Sequence, residues 1–557
     1  MVPLHSLLTA AGRAFRAVAL RRRSVAVTLA VAQVAVTVAL ALALPHNGWV
    51  WYAGGDQIWF TTYAALLGDW TLPLTHVAAG WAILLVPLSL MTGPTYVDVL
   101  PLLVPLQVLV VGPAAVLLVL AAARRIAGDA FALLAGVAWV AAPLLSLGLF
   151  VERYDDRWFD AFLGQALGLT SMSDYPSLVL LLGASVLVLR SLQGGGRRDA
   201  ALAGVVFGLA VLVKPPNLLF GVGALLAYLV ARRWREGATA VVACLPGLVA
   251  LYLWKARGLT DLPLLGLQEV RLTAGAAVGQ VAAGIDIARY LDADIESWRT
   301  NMSNLREFTV SARLVQWAPV AGLLVIARRS RPAAALLVGW LGAYLIVKGA
   351  SDRASIENGS FWRLVLPAWP AYLLLVSAVP LLFPGVQHRL GCLLTPPPLG
   401  RRAPIRSPRG VALVALVAVV TLVPLALTGL ARPIIGPERA LLVDDVGNEL
   451  YVPVTAVSVP TAAWEGDNVR VTWGGVAGGP ASGFVLFRAD EGTDVSCNLG
   501  AVDQCRLVGE PIARTTLTTW TDGAPPAGSI YRVGRTTSYL GPQGDVFELS
   551  RPTAPLG

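Results

Sequence analysis

The sequence predicts a polytopic α-helical membrane protein followed by a small β-sandwich, and three observations support this fold class. The 557-residue chain is 56% hydrophobic and 14% charged, with a mean hydropathy of +0.66, whereas soluble proteins are about 25% charged. Arginines stand at the ends of long apolar runs, where the positive-inside rule places them in cytoplasmic loops. After residue 430 the pattern changes to short alternating segments between Gly, Pro and Asp, which is typical of strands.

The beginning of the chain predicts a cytoplasmic segment and a first span. Residues 1–23 carry five arginines and no acids, and residues 24–44 are apolar and long enough to cross a bilayer. The alternative is a cleaved signal peptide, because Ala41-Leu42-Ala43 resembles a cleavage site. Residues 45–95 are rich in Trp and broken by prolines, which predicts an outer loop with interfacial helices. A separate span at residues 79–92 is the alternative there.

Ten further apolar runs bring the predicted number of spans to about eleven, within a transmembrane domain over residues 24–430. They lie near 97–123, 128–150, 175–193, 199–213, 216–231, 238–255, 314–327, 333–349, 361–383 and 410–430. The short loops on one side are all basic, which predicts that this side is cytoplasmic. The acids and the longer loops lie on the other side, in the predicted outer loops 45–95, 151–174, 256–313 and 350–360.

Residues 431–557 predict an extracytoplasmic β-sandwich domain. They hold 9 Arg and 14 Asp/Glu, although the whole chain carries a net charge of +9. The segments NVRVTW, GFVLFRAD and SIYRVGRTTS alternate as strands do, and the region resembles a fibronectin type III module. Cys497 and Cys505 have a spacing that suits a disulfide in an exported domain, whereas Cys244 and Cys392 are expected to be free thiols.

Composition also argues against a nucleic-acid partner and against a zinc site built from histidines and cysteines. The basic residues lie at the ends of apolar runs rather than on a soluble face, so we expect no nucleic-acid partner. The chain has four histidines and four cysteines, and none of them forms a cluster with metal-ligand spacing. Asn301-Met302-Ser303 matches a glycosylation sequon, which we interpret as a chance match in a bacterial protein.

Ionisable residues at the predicted outer ends of spans are the candidates for function, because such groups are costly to place near lipid. Asp56 follows the first span in the stretch GGDQ, and Asp174 precedes the fourth. Lys214 stands between two short apolar runs in VLVKPPNLL, where a cation would suit an anionic lipid headgroup. The structural alternatives are a helix N-cap for Asp174 and snorkelling side chains for Lys255 and Lys348.

Four landmarks, in order and spacing, resemble the GT-C superfamily of membrane glycosyltransferases. The resemblance is strongest to the branch with protein O-mannosyltransferases and the aminoarabinose transferase of lipid A. The landmarks are GGDQ with Asp56, RRIAGDAFALLAGVAWVAAP, SMSDYPSLVLLL with Asp174, and the pair GLAVLVKPPNLL and FWRLVLPAWPAYLLL. The sequence departs from the family pattern where Gln57 replaces a second acid, Val213 a Thr, and Leu364 a Tyr.

The resemblance implies an inverting glycosyltransferase of the bacterial plasma membrane that acts in cell-wall biogenesis. Its donor would be a polyprenyl-phosphate-linked sugar, and its acceptor a hydroxyl of a glycan, lipid or protein on the outer face. Asp56 would be the general base, and Asp174 would orient the sugar, the acceptor or a cation. Lys214 and Arg363 would neutralise the carrier phosphate.

Further candidate substrate contacts are Gln57, Asp155, Asp156, Arg353 and Glu357. The alternative for Asp155 and Asp156 is a solvated charged loop. No metal site is assigned, and a divalent cation, Mg or Mn, stays open as a cofactor. Because Gln57 replaces the second acid, such an ion would have to use Asp56 with Asp174 or with an acid of an outer loop.

Two other classes of function compete with this one. A transporter or flippase of lipid-linked sugars is expected to show internal repeats and ionisable groups at mid-membrane, and the sequence shows no internal repeat. A non-enzymatic anchor for the β domain would need far fewer than eleven spans.

Overall fold

The computed structural model describes most of the helical part of the chain and the strands that follow it. The described residues are 22–43, 55–68, 77–93, 96–147, 164–256, 294–308, 312–351, 354, 360–384, 386, 439–443, 449–455, 459–474, 483–489, 510–536 and 546–557. Several predictions lie outside these residues, namely the span at 410–430, the disulfide between Cys497 and Cys505, the thiol of Cys392, and the roles of Asp155, Asp156, Arg353 and Glu357.

Helices make up the first part of the described chain. They are α1 (Arg22–Ala43), α2 (Gly55–Gly68), α3 (Ala79–Thr92), α4 (Tyr96–Leu106), α5 (Gly112–Leu147), α6 (Gly164–Leu167), α7 (Asp174–Arg190), α8 (Gly196–Val213), α9 (Phe220–Val230), α10 (Trp234–Ala256), α11 (Ile295–Phe308), α12 (Ala312–Arg329), α13 (Arg331–Val347), α14 (Ser360–Val365) and α15 (Trp369–Val376). Short π or 3₁₀ segments join some of them, at Gln107–Val111, Ser191–Gly195, Pro215–Leu219, Leu366–Ala368 and Val379–Leu382.

Five helical segments of the described chain are long and apolar enough to cross a membrane. They are Arg22–Ala41, Val99–Leu144, Asp174–Val213, Trp234–Lys255 and Phe361–Leu382. Three shorter apolar helices accompany them, at Ala79–Thr92, Pro215–Val230 and Arg331–Val347. The protein is therefore a mostly helical, multi-pass membrane protein, but the predicted number of eleven spans is not confirmed.

The two longest segments each turn back on themselves. A straight helix of 46 residues, the length of Val99–Leu144, would be about 69 Å long, more than twice the hydrocarbon core of a bilayer. The backbone is non-helical at Ala127 and Gly128, and a methyl group on Gly136 would lie 2.7 Å from Leu120 Cδ2. These residues can meet only if α5 contains a turn.

The turn within α5 lies at a basic end of the bundle. Asp129 binds Arg22 at 2.7 Å and Arg124 at 2.6 Å. The second hairpin turns between α7 and α8, where Gly194 has a φ of 107°, and Arg190 there binds Asp199 at 3.1 Å. Because α7 begins at Asp174 and ends at Arg190, this basic end and the end that carries Asp174 lie at opposite ends of one helix.

Small residues allow the helices to pack closely. A methyl group on Gly208 of α8 would lie 2.9 Å from the carbonyl oxygen of Cys244 in α10. A methyl group on Gly339 of α13 would similarly lie 2.7 Å from the Cα of Gly223 in α9. Membrane helices associate through such contacts because lipid gives no hydrophobic drive for their burial. Cys244 itself is a buried free thiol, as predicted.

The strands form two sheets. They are β1 (Arg439–Val443), β2 (Glu449–Thr455), β3 (Thr461–Glu465), β4 (Asn468–Thr472), β5 (Gly483–Ala489), β6 (Glu510–Thr515), β7 (Thr519–Gly523), β8 (Ile530–Thr536) and β9 (Val546–Ser550). The larger sheet has the order β1-β2-β9-β8-β5-β6 and the smaller one the order β3-β4-β7. All described pairs are antiparallel except β2 with β9, which is parallel.

The two sheets pack face to face around an apolar core. Val469 and Val471 of β4 share one buried apolar cluster with Leu486 of β5 and with Tyr531 and Val533 of β8. Alternate residues of a strand point to opposite faces, so this core accounts for the alternation in the sequence. The fibronectin type III assignment is not confirmed and stays a prediction.

Candidate active site

Asp174 is a fully buried carboxylate at the first residue of α7. It is 1% exposed, and burial of an unpaired charge would be very costly. The structure supplies two cations: Lys214 Nζ binds Asp174 Oδ1, and Arg363 Nε lies 3.6 Å from the same oxygen. The N-cap position belongs to Ser173, so the alternative of Asp174 as an N-cap is wrong.

The local sequence fixes Lys214 at the end of α8. Pro215 and Pro216 lack the N–H groups that a continuing helix needs, and the backbone at Lys214 is extended, with φ −145° and ψ 104°. Asn217 then closes the turn, because its side-chain amide donates to Ala210 O at 2.8 Å and its backbone N–H to Lys214 O at 3.0 Å.

Asn217 also connects this turn to α13. The hydroxyl of Tyr344 donates to Asn217 Oδ1 at 3.0 Å, and neither side chain is exposed to solvent. Buried polar groups that are fully bonded restrict a site to one arrangement. Asn217 and Tyr344 therefore position Lys214, although neither was predicted from the sequence.

Arg363 reaches the site from α14. Its guanidinium also lies 3.9 Å from Met172 Sδ, and its side chain is 33% exposed, compared with 12% for Lys214. One carboxylate thus faces two cations, and the more exposed cation gives the cluster an open side. A partly exposed guanidinium is a group that can bind a phosphate oxygen.

The loop before Asp174 is held by α2. Gln57 is fully buried, and its Oε1 accepts from the backbone N–H of Ser171 at 3.0 Å and from the Ser171 hydroxyl at 3.3 Å. Trp81 of α3 donates to Ser171 O at 2.7 Å, and Gln107 donates to Thr170 O at 2.6 Å. The amide oxygen of Gln57 thus holds the Ser171 loop, and its predicted contact with substrate stays a prediction.

Helix α3 also packs tightly onto the end of α8 that carries Lys214. A methyl group on Gly80 would lie 2.7 Å from both Leu212 C and Val213 N. Only glycine permits this approach, because the nearest atoms are backbone atoms that cannot turn aside. The two helices α2 and α3 therefore hold the Asp174 loop between them, and α3 also touches the Lys214 turn.

The predicted site residues divide into three groups. Asp174, Lys214 and Arg363 come together, and Gln57 lies one loop away from them. Asp56 belongs to the first turn of α2, but its side chain lies outside the described part of the chain. The roles predicted for these residues stay predictions.

The other lysines and the sequon take up different positions. Lys348 is 7% exposed, so most of its side chain is buried within the protein. Asn301 is buried, and its amide donates to Gly349 O at 3.2 Å and Ala354 O at 2.7 Å, which is inconsistent with glycosylation. Asp294 caps α11, and the Ser297 hydroxyl, together with the backbone N–H groups of Ser297 and Glu296, holds the pKa of Asp294 below its ordinary value.

The described residues do not fit a divalent metal ion. No three His, Cys, Asp or Glu side chains come together within the described ranges. The one buried carboxylate of the cluster is bound by Lys214 and Arg363, whose positive charges oppose a further cation.

Comparisons with known proteins give no close relative. No family model matches the sequence, and no curated protein matches it. Among solved structures, the chain is similar to the oligosaccharyltransferase of Archaeoglobus fulgidus tethered with an acceptor peptide containing the NVT sequon, at 12% identity and a TM-score of 0.41. The apo form gives 15% and 0.41, and AglB with an inhibitory peptide and a dolichol-phosphate gives 16% and 0.40.

These matches cover 73%, 73% and 72% of this chain, but only 55%, 56% and 55% of the others. The chain therefore spans about half the length of the solved structures that it matches. Similarity at this level establishes neither a common fold nor a common activity, so the function has to be inferred from the site.

Proposed function

We propose that the protein is an inverting glycosyltransferase that moves a sugar from a polyprenyl-phosphate carrier to a hydroxyl acceptor on the outer face of the bacterial plasma membrane. The observation that carries this proposal is the cluster of Asp174, Lys214 and Arg363. Two cations converge on a buried carboxylate at the end of membrane helices, and the Arg363 side chain is 33% exposed. A lipid-linked phosphate requires positive charge at this depth.

The residues divide the chemistry between them. Attack of the acceptor hydroxyl at the anomeric carbon forms the new C–O bond and releases the carrier phosphate. Lys214 and Arg363 stabilise the negative charge on that phosphate. Asp174 is already engaged by both cations, so its role is to orient them. The acceptor proton passes to Asp56, in the first turn of α2.

The proposal also includes the location of the β region and of the two ends of α7 relative to the membrane. Residues 431–557 form an extracytoplasmic domain, and the arrangement of β3-β4-β7 against β6-β5-β8-β9 supports its fibronectin type III-like assignment. Arginines at the opposite end of α7 support a cytoplasmic location for that end. The proposed acceptor is a hydroxyl of a glycan, a lipid or a protein of the cell envelope.

The test is sugar transfer in liposomes that contain the purified protein and a set of radiolabelled polyprenyl-phosphate sugars. Asp56→Asn should abolish transfer, with expression and membrane insertion unchanged, because amide oxygens do not accept the acceptor proton. The matched control is Asp294→Asn, since asparagine also caps helices. Retained sugar transfer in Asp56→Asn would contradict the role of Asp56 as the general base. Transbilayer movement of the donor without transfer would favour a flippase.

A further inference from the structure

Strand β5 is buried on both of its faces. Leu486 points to the smaller sheet and lies in the core between the sheets. Val485 and Phe487 point the other way and are 2% and 7% exposed. A solvent-facing sheet surface is usually polar, so the second face of the larger sheet must be covered.

Membrane helices cover that face. Val485, Phe487 and Leu549 belong to one contiguous apolar cluster with residues of α2 and α3. The helix residues of this cluster include Trp59, Phe60, Tyr63, Ala64 and Leu67 of α2 and Trp81, Ala82 and Leu85 of α3. Strand β2 also lies beside α2. The larger sheet is therefore packed between the smaller sheet and the helix pair.

Helix α2 needs such external support. It has 14 residues, so it is about 21 Å long and too short to cross the hydrocarbon core. An isolated helix of this length is only marginally stable in water. Its described side chains from Trp59 to Leu67 are almost all buried, which shows that neighbours enclose it on every side.

The same helix connects the sheet to the candidate active site. Its first turn contains Asp56, and Gln57 in that turn binds Ser171, three residues before Asp174. Helix α3 binds Ser171 through Trp81 and touches the Lys214 turn through Gly80. Any displacement of the sheet against this helix pair would therefore move the groups that surround Asp174.

We propose that the larger sheet is a wall of the active site, in which Val485, Phe487 and Leu549 are positioning residues that hold α2, and hence Asp56, in place against Asp174. The β region is thereby a part of the catalytic unit rather than a separate binding module. This inference rests on the proposed role of Asp56 for its kinetic consequence, but its structural consequence does not depend on any activity.

The test compares Phe487→Ala with Phe484→Ala in the full-length protein in lipid nanodiscs. Phe484 lies on the opposite face of β5 and packs against Trp473 at 5.7 Å between ring centroids, so it controls for weakening of the sheets themselves. Amide hydrogen exchange across residues 55–68 should become about 10-fold faster in Phe487→Ala. The same amides should be unchanged in Phe484→Ala.

Kinetics provides the second measurement. In Phe487→Ala, kcat should fall about 10-fold because the base is displaced. KM for the donor should stay within about threefold because Asn217 and Tyr344 still hold the Lys214 turn. Phe487→Leu should restore kcat, and Val485→Ala serves if Phe487→Ala does not fold. Unchanged exchange in α2, or faster exchange without a loss of kcat, would overturn the proposal. If the wild type transfers no sugar, the proposed function fails, and the exchange comparison still decides whether the sheet holds α2.

Discussion

Lys214 and Asp174 form an ion pair across the ends of two neighbouring antiparallel helices. Lys214 ends α8 and Asp174 begins α7, 40 residues earlier in the chain. Both side chains are largely withdrawn from solvent, so each depends on the other for its charge to be tolerated. The pair links the two halves of this hairpin at the place where the phosphate is proposed to bind.

Loss of the Lys214 charge should impair both activity and stability. Lys214→Met keeps the length of the side chain but leaves Asp174 with Arg363 alone. We expect kcat/KM for transfer to fall about 100-fold and the free energy of unfolding to fall by about 2 kcal/mol. Lys255→Met, at the end of α10, is the control and should retain activity. Equal effects of the two substitutions would contradict a specific role for Lys214.

The hydrogen bonds of Gln57 to Ser171 can be tested without changing any charge. Gln57→Leu leaves the backbone N–H of Ser171 without its acceptor, which should cost about 1–3 kcal/mol of stability and displace the loop before Asp174. Gln57→Met also removes the acceptor but keeps the length of the side chain, so it should lose stability and activity to a similar degree. Thermal unfolding in detergent and initial transfer rates measure the two effects. A Leu variant as active as the wild type would show that this loop needs no such support.

Substitution of Gly80 should also lower both stability and transfer, because α3 packs closely on α8 there. Gly80→Ala places a methyl group against the backbone of Leu212 and Val213, an overpacking that costs about 1–3 kcal/mol. Because Lys214 follows directly, transfer should fall as well. A methyl group on Gly342 would meet no atom within 4 Å, so Gly342→Ala should raise helix stability by up to about 1 kcal/mol. Melting temperatures and transfer rates of both variants provide the comparison.

The stability of the β region should decrease at alkaline pH because Tyr531 loses its proton. Burial, and then the hydrogen bond from its hydroxyl to Asp522 Oδ2 at 2.8 Å, raise the pKa of Tyr531 above its ordinary value. A raised pKa means that the protonated phenol stabilises the fold below pH about 10, and that this contribution is lost as the pH rises further.

Tyr531→Phe removes this dependence together with the hydrogen bond. Its stability at pH 7 should be lower by about 1–2 kcal/mol, and its decline above pH 10 should be shallower than that of the wild type. Unfolding curves between pH 7 and pH 11, followed through tyrosinate absorbance, measure both. Parallel curves for the two proteins would contradict the assignment.

Much of the helical fold is predictable because the bilayer requires long apolar runs for its spans and favours arginines in the cytoplasmic loops between them. The run at 238–255 corresponds to α10, and that at 199–213 to α8. The run at 361–383 is continuous in hydropathy, but the structure interrupts it with 3₁₀ segments. Prolines at 367, 370 and 380 remove backbone donors there, and hydropathy alone does not register their effect.

The candidate site is only half visible in the sequence. Asp174, Lys214 and Arg363 stand out because charges near apolar runs are rare. Ser171, Asn217 and Tyr344 carry no such signal, since ordinary polar residues become significant only through contacts across 114 and 127 residues. The parallel pairing of β2 with β9 is hidden for the same reason, because local alternation does not determine which strands become neighbours.

The charge pairs of Asp129 with Arg22 and Arg124 have a consequence for how the chain enters the membrane. Helix α1 is about 33 Å long, so a first helix inserted the wrong way round would carry Arg22 to the opposite surface. Asp129 would then lose one partner, and Leu29 could no longer pack beside Gly136. The contacts of Arg22 with Asp129 and of Leu29 with Gly136 therefore stabilise only the orientation of α1 in which Arg22 lies beside the α5 turn.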